Sequence, residues 1–235
     1  MEKDRKTGWS LATWKSKWKE GQPIWHRNVV HQLLLKNLGR LLAGKKNAKI
    51  FFPLCGKSLD MKWLADQGHT VVGVEASEIA VQSFFTENDI QYTVTDIPVI
   101  DGKLYQDPDN KIRIYVGDFF NFSKEIDGDF DGIWDRGSLG SIAIEDRERY
   151  IKLIVSLMSA ECQYMAEVFY YEGGSTEPPP HSIHPDTISK LFENTCNVNI
   201  IECVDLMQPN PIWISAFASK VDVLFLNLFL FTKTK

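Results

Sequence analysis

Residues 50–88 read IFFPLCGKSLDMKWLADQGHTVVGVEASEIAVQSFFTEN. An apolar strand, Ile50 to Leu54, runs into the small-residue turn Cys55-Gly56-Lys57-Ser58. An amphipathic helix follows, then a second apolar strand, Val71 to Val74, which ends on Glu75. This is the opening of a nucleotide-binding parallel sheet. Gly56 lets the backbone approach a ligand, and an acid about 20 residues further on can hold ribose hydroxyls. An acid after a strand is also a common helix cap. The phosphate-binding grammar is missing. A Walker A loop needs glycine five residues before Gly56, where Phe51 stands, and no GxGxxG is present. A ribose-holding acid without phosphate signals points to a nucleoside cofactor that lacks phosphates, of which S-adenosylmethionine is the common one.

Composition narrows the class. In 235 residues one α/β domain, 1–235, is expected, and a 44% hydrophobic fraction is enough for a sizeable core. A net charge of −5 argues against nucleic acid as a partner. The lysines at 15, 17 and 19 read as a solvated helix face. No apolar stretch near the N-terminus resembles a secretory signal, and the longest apolar run, Val221 to Phe231, is short for a bilayer and contains Asp222 and Asn227. The four cysteines form no CxxC and no metal-spaced set, so a reduced, cytoplasmic chain without a metal is expected. Cys55 reads as a small residue that fits a tight turn.

Along the chain, Ser10 is placed to cap a helix that stops at Gly21, with Leu11, Trp14 and Trp18 on one face. A second helix is expected over about Arg27–Leu42, lying on the sheet. Ser77 should cap the helix after the second strand. Residues 91–117 break the alternation and read as a β-ribbon around the turn Asp107-Pro108-Asp109-Asn110. Phe130 to Trp134 is a strand followed by the loop Asp135-Arg136-Gly137-Ser138. Beyond it come a helix over Ile142–Met158, a buried strand over Cys162–Tyr171, a loop over 172–184, a helix around Asp186–Cys196, a strand over Val198–Leu206 and a last strand from Val221. Alternating strands and helices predict an open, mainly parallel sheet with helices on both faces.

The segments FFPLCGK, MKWLADQGH, VVGVE and SFFTE, with Trp14 and Trp18 before them and FDGIWDRGSL after them, resemble the thiopurine S-methyltransferase family, particularly its animal members. The resemblance covers nearly the whole chain from about residue 10. It implies a class I S-adenosylmethionine-dependent methyltransferase, with a seven-stranded-type sheet. It also implies a helical lid at about 10–26 and a small-molecule thiol as partner. The apolar runs predict no membrane partner, and with no coiled coil or obvious apolar interface in the sequence a monomer is expected.

Carried over residue by residue, the resemblance assigns cofactor binding to Trp14, Trp18, Trp25, Leu54, Gly56, Glu75, Ala76, Asp118, Phe119 and Arg136. Trp25 and Arg136 are also assigned to the substrate. Trp14 and Trp18 would close over the sulfonium, which an indole face attracts. Asp118 and Phe119 would serve the adenine, although mammalian members carry a smaller polar residue at 118. Trp25 stands where the family has a phenylalanine, which reshapes the acceptor pocket. Arg136 matches an arginine near cofactor and substrate and could bias a thiol toward thiolate, the one catalytic role expected; a structural pair with Asp135 is the other reading. A second family arginine has no match, because residues 211–221 contain only Lys220 as a basic residue. The reading is methyl transfer to aromatic or heterocyclic thiols such as thiopurines. Its alternatives are other small thiol, selenol or sulfide acceptors, or a catalytically weak S-adenosylmethionine-binding protein.

Overall fold

A computed structural model describes residues 7–21, 23, 25–174, 179–208 and 217–234. Its elements, in chain order, are α1 (Leu11–Lys19), α2 (Gln32–Leu42), β1 (Lys49–Phe52), α3 (Leu59–Asp66), β2 (Thr70–Glu75), α4 (Glu78–Glu87), β3 (Thr93–Ile97), β4 (Gly102–Gln106) and β5 (Ile112–Val116). Then come α5 (Lys124–Asp127), β6 (Phe130–Arg136), α6 (Ser138–Ser141), α7 (Arg147–Leu157), β7 (Met158–Glu172), α8 (Pro185–Phe192), β8 (Cys196–Asp205) and β9 (Val223–Lys233). They gather into two compact units. One comprises Ser10–Trp134 with Ser156–Gln163; the other comprises Met1–Trp9, Asp135–Val155 and Tyr164–Lys235.

In the first unit four strands lie parallel in the order β5-β2-β1-β6. Order and direction follow from the apolar, β-branched runs, which need cover on both faces. Phe51 of β1 is fully buried and packs on Phe122, Phe130 and Phe119 with ring centroids 5.4, 4.7 and 6.4 Å away. The position where a phosphate-binding loop would need glycine is therefore a core anchor. The ribbon is present, with β3 on β4 and β4 on β5, all antiparallel. Asp107 closes its turn by accepting from the Ile112 amide at 2.7 Å. Ile112–Val116 has a second partner that the ribbon reading lacked: β5 is also the parallel neighbour of β2.

In the second unit β7, β9 and β8 follow one another with antiparallel pairing, and the apolar run near the C-terminus is strand β9. These three with β5-β2-β1-β6 make the seven expected strands, and β3 and β4 are additions. No described helix is long and apolar enough to cross a membrane.

Several boundaries differ from expectation for local reasons. Helix α2 starts at Gln32, not Arg27. The His31 amide is committed to Asp60 Oδ1 at 2.8 Å, and the His31 ring caps the helix through Leu33 N. Leu41 of α2 then sits so close to Gly132 of β6 that a Cβ there would stand 3.1 Å from it. Ser77 occupies the N-cap of α4, but its side chain makes no cap bond. The helix expected over 142–158 is split, because Ile142 and Ala143 are extended between α6 and a short turn before α7. Strand β7 starts earlier, α8 ends at Phe192, and Cys196 opens β8. Part of the loop read over 172–184, and residues 209–216 before β9, lie outside the described residues.

Replacing Phe51 with alanine removes the ring that joins three aromatic neighbours. We expect a loss of about 3–5 kcal/mol in urea unfolding, in the range of large-to-small aromatic core changes. A loss below about 1 kcal/mol would contradict the anchoring role.

Candidate active site

The site forms where β1 and β2 end. After β1, Leu54 and Gly56 take left-handed backbone at φ of 45° and 53°. Glycine adopts this at no steric cost, whereas leucine is strained there. The Cys55 amide bonds the Val74 carbonyl at 3.0 Å, which ties the turn to β2. Gly73 makes room for it, since a Cβ there would come within 2.7 Å of the Cys55 sulfur. Burial and the nearby Glu75 charge push the Cys55 thiol well above its ordinary pKa. It is a packing residue and not a nucleophile.

Glu75 closes the turn from the other side. Its Oε2 accepts from Gly56 N and its Oε1 from Ser77 N, both at 2.8 Å, and the residue is only 6% exposed. The acid therefore holds both the Gly56 turn and the residue that opens α4, while the Ser77 hydroxyl makes no cap bond. Burial raises its pKa, while the Ser77, Gly56 and Ala76 amides and the charge of Lys15 pull it down. Ionised, a carboxylate has about four lone-pair positions, so two amides leave capacity for further donors.

Three tryptophans assemble over this turn. Trp25 stands edge-on to Trp14 at 5.2 Å and to Trp18 at 5.9 Å. Trp18 is buried against Gly56, where a Cβ would meet its ring at 3.1 Å. Thus Trp14, Trp18, Trp25, Leu54, Gly56 and Glu75, singled out from distant parts of the sequence, do come together.

Beside them lies a cavity of about 570 Å³ at the ends of β2 and β5. Ala76, Ser77, Val116 and Gly117 line it, with Lys15 and Lys19 of α1. A volume of this order suits a small ligand. Glu78 also lines it and is paired with Lys103 at 2.7 Å. The sequence reading missed this wall, although its signal was present. Ala12, Lys15, Ser16 and Lys19 recur at helical spacing, as a second stripe beside the tryptophans.

Asp118 follows β5 and is half-buried, with Oδ1 accepting from Phe120 N at 3.0 Å. Phe119 is 2% exposed and belongs to the Phe51 cluster. Its ring is already covered by protein.

Arg136, in the other unit, ends β6 and is half-buried. The neighbouring Asp135 carboxylate is fully buried and accepts from Ser138 N at 2.9 Å, Leu139 N at 3.3 Å, Tyr150 Oη at 2.7 Å and Tyr164 Oη at 2.9 Å, with the Ser138 side chain a further donor. Burial lifts its pKa against these bonds. The backbone leading into Arg136 is thereby fixed. Among the described residues no cluster of three or more His, Cys, Asp or Glu side chains could hold a metal ion.

Known proteins resemble this chain in sequence and in fold. The family model for thiopurine S-methyltransferase matches residues 9–224. A probable thiopurine S-methyltransferase of Danio rerio is 43% identical over 198 residues, 83% of this chain and 84% of that protein. Thiopurine S-methyltransferase of Equus caballus is 37% identical over 226 residues, 95% of this chain and 90% of that protein. Among solved structures, the 1,6-didemethyltoxoflavin-N1-methyltransferase of Burkholderia thailandensis, with S-adenosylhomocysteine bound, aligns with a TM-score of 0.62 at 15% identity, over 94% of this chain and 87% of that one. The cyclase SpnF aligns with a TM-score of 0.64 at 10% identity, over 97% and 99%. These likenesses establish the class I methyltransferase fold, and the match over 9–224 establishes the family: this chain belongs to the thiopurine S-methyltransferases.

Proposed function

We propose that this protein transfers a methyl group from S-adenosylmethionine to the sulfur of aromatic or heterocyclic thiols such as thiopurines, as one domain over residues 1–235. The observation that carries the reading is the family match along 9–224, with relatives of that name covered nearly end to end. The net charge of −5 and the free cysteines favour a cytoplasmic enzyme without a nucleic-acid partner. We read it as a monomer.

The chain's own groups fit the cofactor. Glu75 retains acceptor capacity after serving two amides, and Gly56, Ala76 and Gly117 keep the strand ends free of bulk beside the cavity. Glu75 would hold the ribose hydroxyls, Leu54 and Gly56 the amino-acid end, and Asp118 the adenine amino group, whereas the Phe119 ring, already covered by protein, would anchor that segment and not stack on the adenine. Trp14, Trp18 and Trp25 would cover the cofactor and exclude water. S-adenosylmethionine supplies an electrophilic methyl group on a sulfonium. Thiolates are strong nucleophiles, so the protein's tasks are alignment, dryness and a neutralising charge. Arg136 is the residue we assign to that charge.

The first test concerns Glu75. Its raised pKa means that the fold favours the protonated acid. This contribution to stability is complete below the unfolded pKa and is lost as pH rises through the folded one. Hydroxyl donors favour the ionised form, so cofactor affinity should rise with pH through the range where Glu75 loses its proton. Glu75→Gln should flatten that dependence and weaken binding by about 1–3 kcal/mol. Calorimetric titration at several pH values measures both, and wild-type affinity in the variant would refute the assignment.

The second test concerns α1 and the tryptophans as a lid over residues 10–26. Hydrogen exchange at 10–21 should slow when cofactor and acceptor bind together, because a lid must open to admit them. Identical exchange with and without ligands would exclude it.

The third test concerns Arg136. A fixed cation that lowers the pKa of the bound thiol helps acceptors with a high thiol pKa most. Arg136→Ala should therefore slow turnover most for those acceptors, and Arg136→Lys should recover part of the loss. Rates across thiols of graded pKa at saturating cofactor read this. A loss independent of acceptor pKa would make Arg136 a structural residue.

A further inference from the structure

Arg147 opens α7 and is 8% exposed, yet its Nε and Nη2 have no hydrogen-bond partner among the described residues. These two nitrogens form the edge of a guanidinium that grips two oxygens side by side. His181 is its electrostatic neighbour, 5% exposed, and its Nε2 is likewise without a partner. The ring is held there by its backbone, since the His181 amide bonds the Gly140 carbonyl at 2.8 Å. A buried guanidinium with two donors unserved, beside a buried imidazole whose Nε2 is also without a partner, is electrostatically incomplete. Burial pulls the pKa of Arg147 down, and burial together with the Arg147 charge does the same to His181, against the charge of Glu145.

Residues 7 and 8 pack beside Ile144 and His181. The Thr7 hydroxyl donates to the Glu145 carboxylate and accepts from Ile144 N at 3.2 Å, which brings the chain across the site. Gly8 follows at φ 84°, and a Cβ there would stand 3.3 Å from His181 Nε2 and 3.6 Å from Ala143 Cα. Any other residue would close on the imidazole donor.

We infer that Arg147 and His181 form a binding site for a small carboxylate. Its two oxygens accept from the Nε–Nη2 edge of Arg147, and one also accepts from His181 Nε2. A planar two-oxygen anion suits the fork of the guanidinium, with the imidazole as its neighbour. The carboxylate is either a free metabolite anion or a group carried by the thiol acceptor. Only the second source rests on the proposed methyltransferase activity.

The test is thermal melting of the full chain titrated with sodium formate against sodium chloride at equal ionic strength. The melting temperature should rise saturably with formate alone. Arg147→Met, of similar length and without donors, should abolish the response. His181→Phe should weaken formate affinity by about fivefold, the order of one lost hydrogen bond. Should a variant fail to fold, the Arg147 Nε–H resonance of the wild type decides, since formate must shift it and slow its exchange with water. No response beyond that to chloride, a wild-type response in Arg147→Met, or an unmoved resonance would overturn the site; the last would mean that the chain's own carboxylates serve the guanidinium. The source follows from methylation kinetics of Arg147→Met with an aromatic thiol bearing or lacking a ring carboxylate. A KM rise of about tenfold confined to the carboxylated thiol, the order of a lost charge-assisted hydrogen bond, assigns the site to the acceptor. Equal KM for both thiols, with the formate response lost, assigns it to a free anion. The formate arm needs no methyl transfer, so it stands or falls separately from the thiol reading.

Discussion

One buried carboxylate organises the ends of β1 and β2. Glu75 ends a parallel strand and spends its two oxygens on amides from two different loops, Gly56 after β1 and Ser77 before α4. Each of those loops would otherwise present an unpaired N–H near the sheet edge, at considerable cost in a buried setting. The dependence then runs outward. Gly56, held by Glu75, is the surface on which Trp18 rests, and Trp18 with Trp14 is gathered by Trp25. Ala76, Ser77 and Glu78, held on the other side, form one wall of the cavity. Burying the carboxylate works against its own ionisation, and the three amides and Lys15 only partly offset this. Such a group is primed to accept further donors.

How much of this the sequence carried depended on whether the signal was local. The turn at 55–58, the acid after β2, the Ser10 cap and the ribbon around Asp107 are short-range patterns with a mechanism, and each is present. Helix ends decided by distant partners were not legible. His31 starts α2 because Asp60, 29 residues away, takes its amide. Asp60 also accepts from the Trp134 indole at 2.9 Å, a pairing across 74 residues that no periodicity announces. The cavity wall on α1 was hidden for a different reason. Lysines at helical spacing look like solvent-facing charge until the fold shows what they face.

Fold and chemistry separate in this structure. A named cyclase and a named N-methyltransferase share the architecture at nearly equal TM-scores, so the sheet alone says little about the reaction. What narrows the reading is the family match and the residues at the strand ends. Trp25 illustrates the point. The indole that replaces the family's phenylalanine is the centre of both edge-on contacts with Trp14 and Trp18. A larger ring at the hub strengthens the aromatic cover and takes space from whatever lies beneath it.

Asp135 shows how a buried carboxylate can fix the end of a strand. It accepts from two amides and two tyrosine hydroxyls drawn from α7, β7 and the turn into α6, and the Ser138 side chain adds to them. The neighbouring residue on the strand, Arg136, therefore inherits a rigid backbone. Tyr150 and Tyr164 look in sequence like ordinary core aromatics, and both are fully buried. Their hydroxyls are pushed well above the ordinary tyrosine pKa by burial and by Asp135, so they act only as donors.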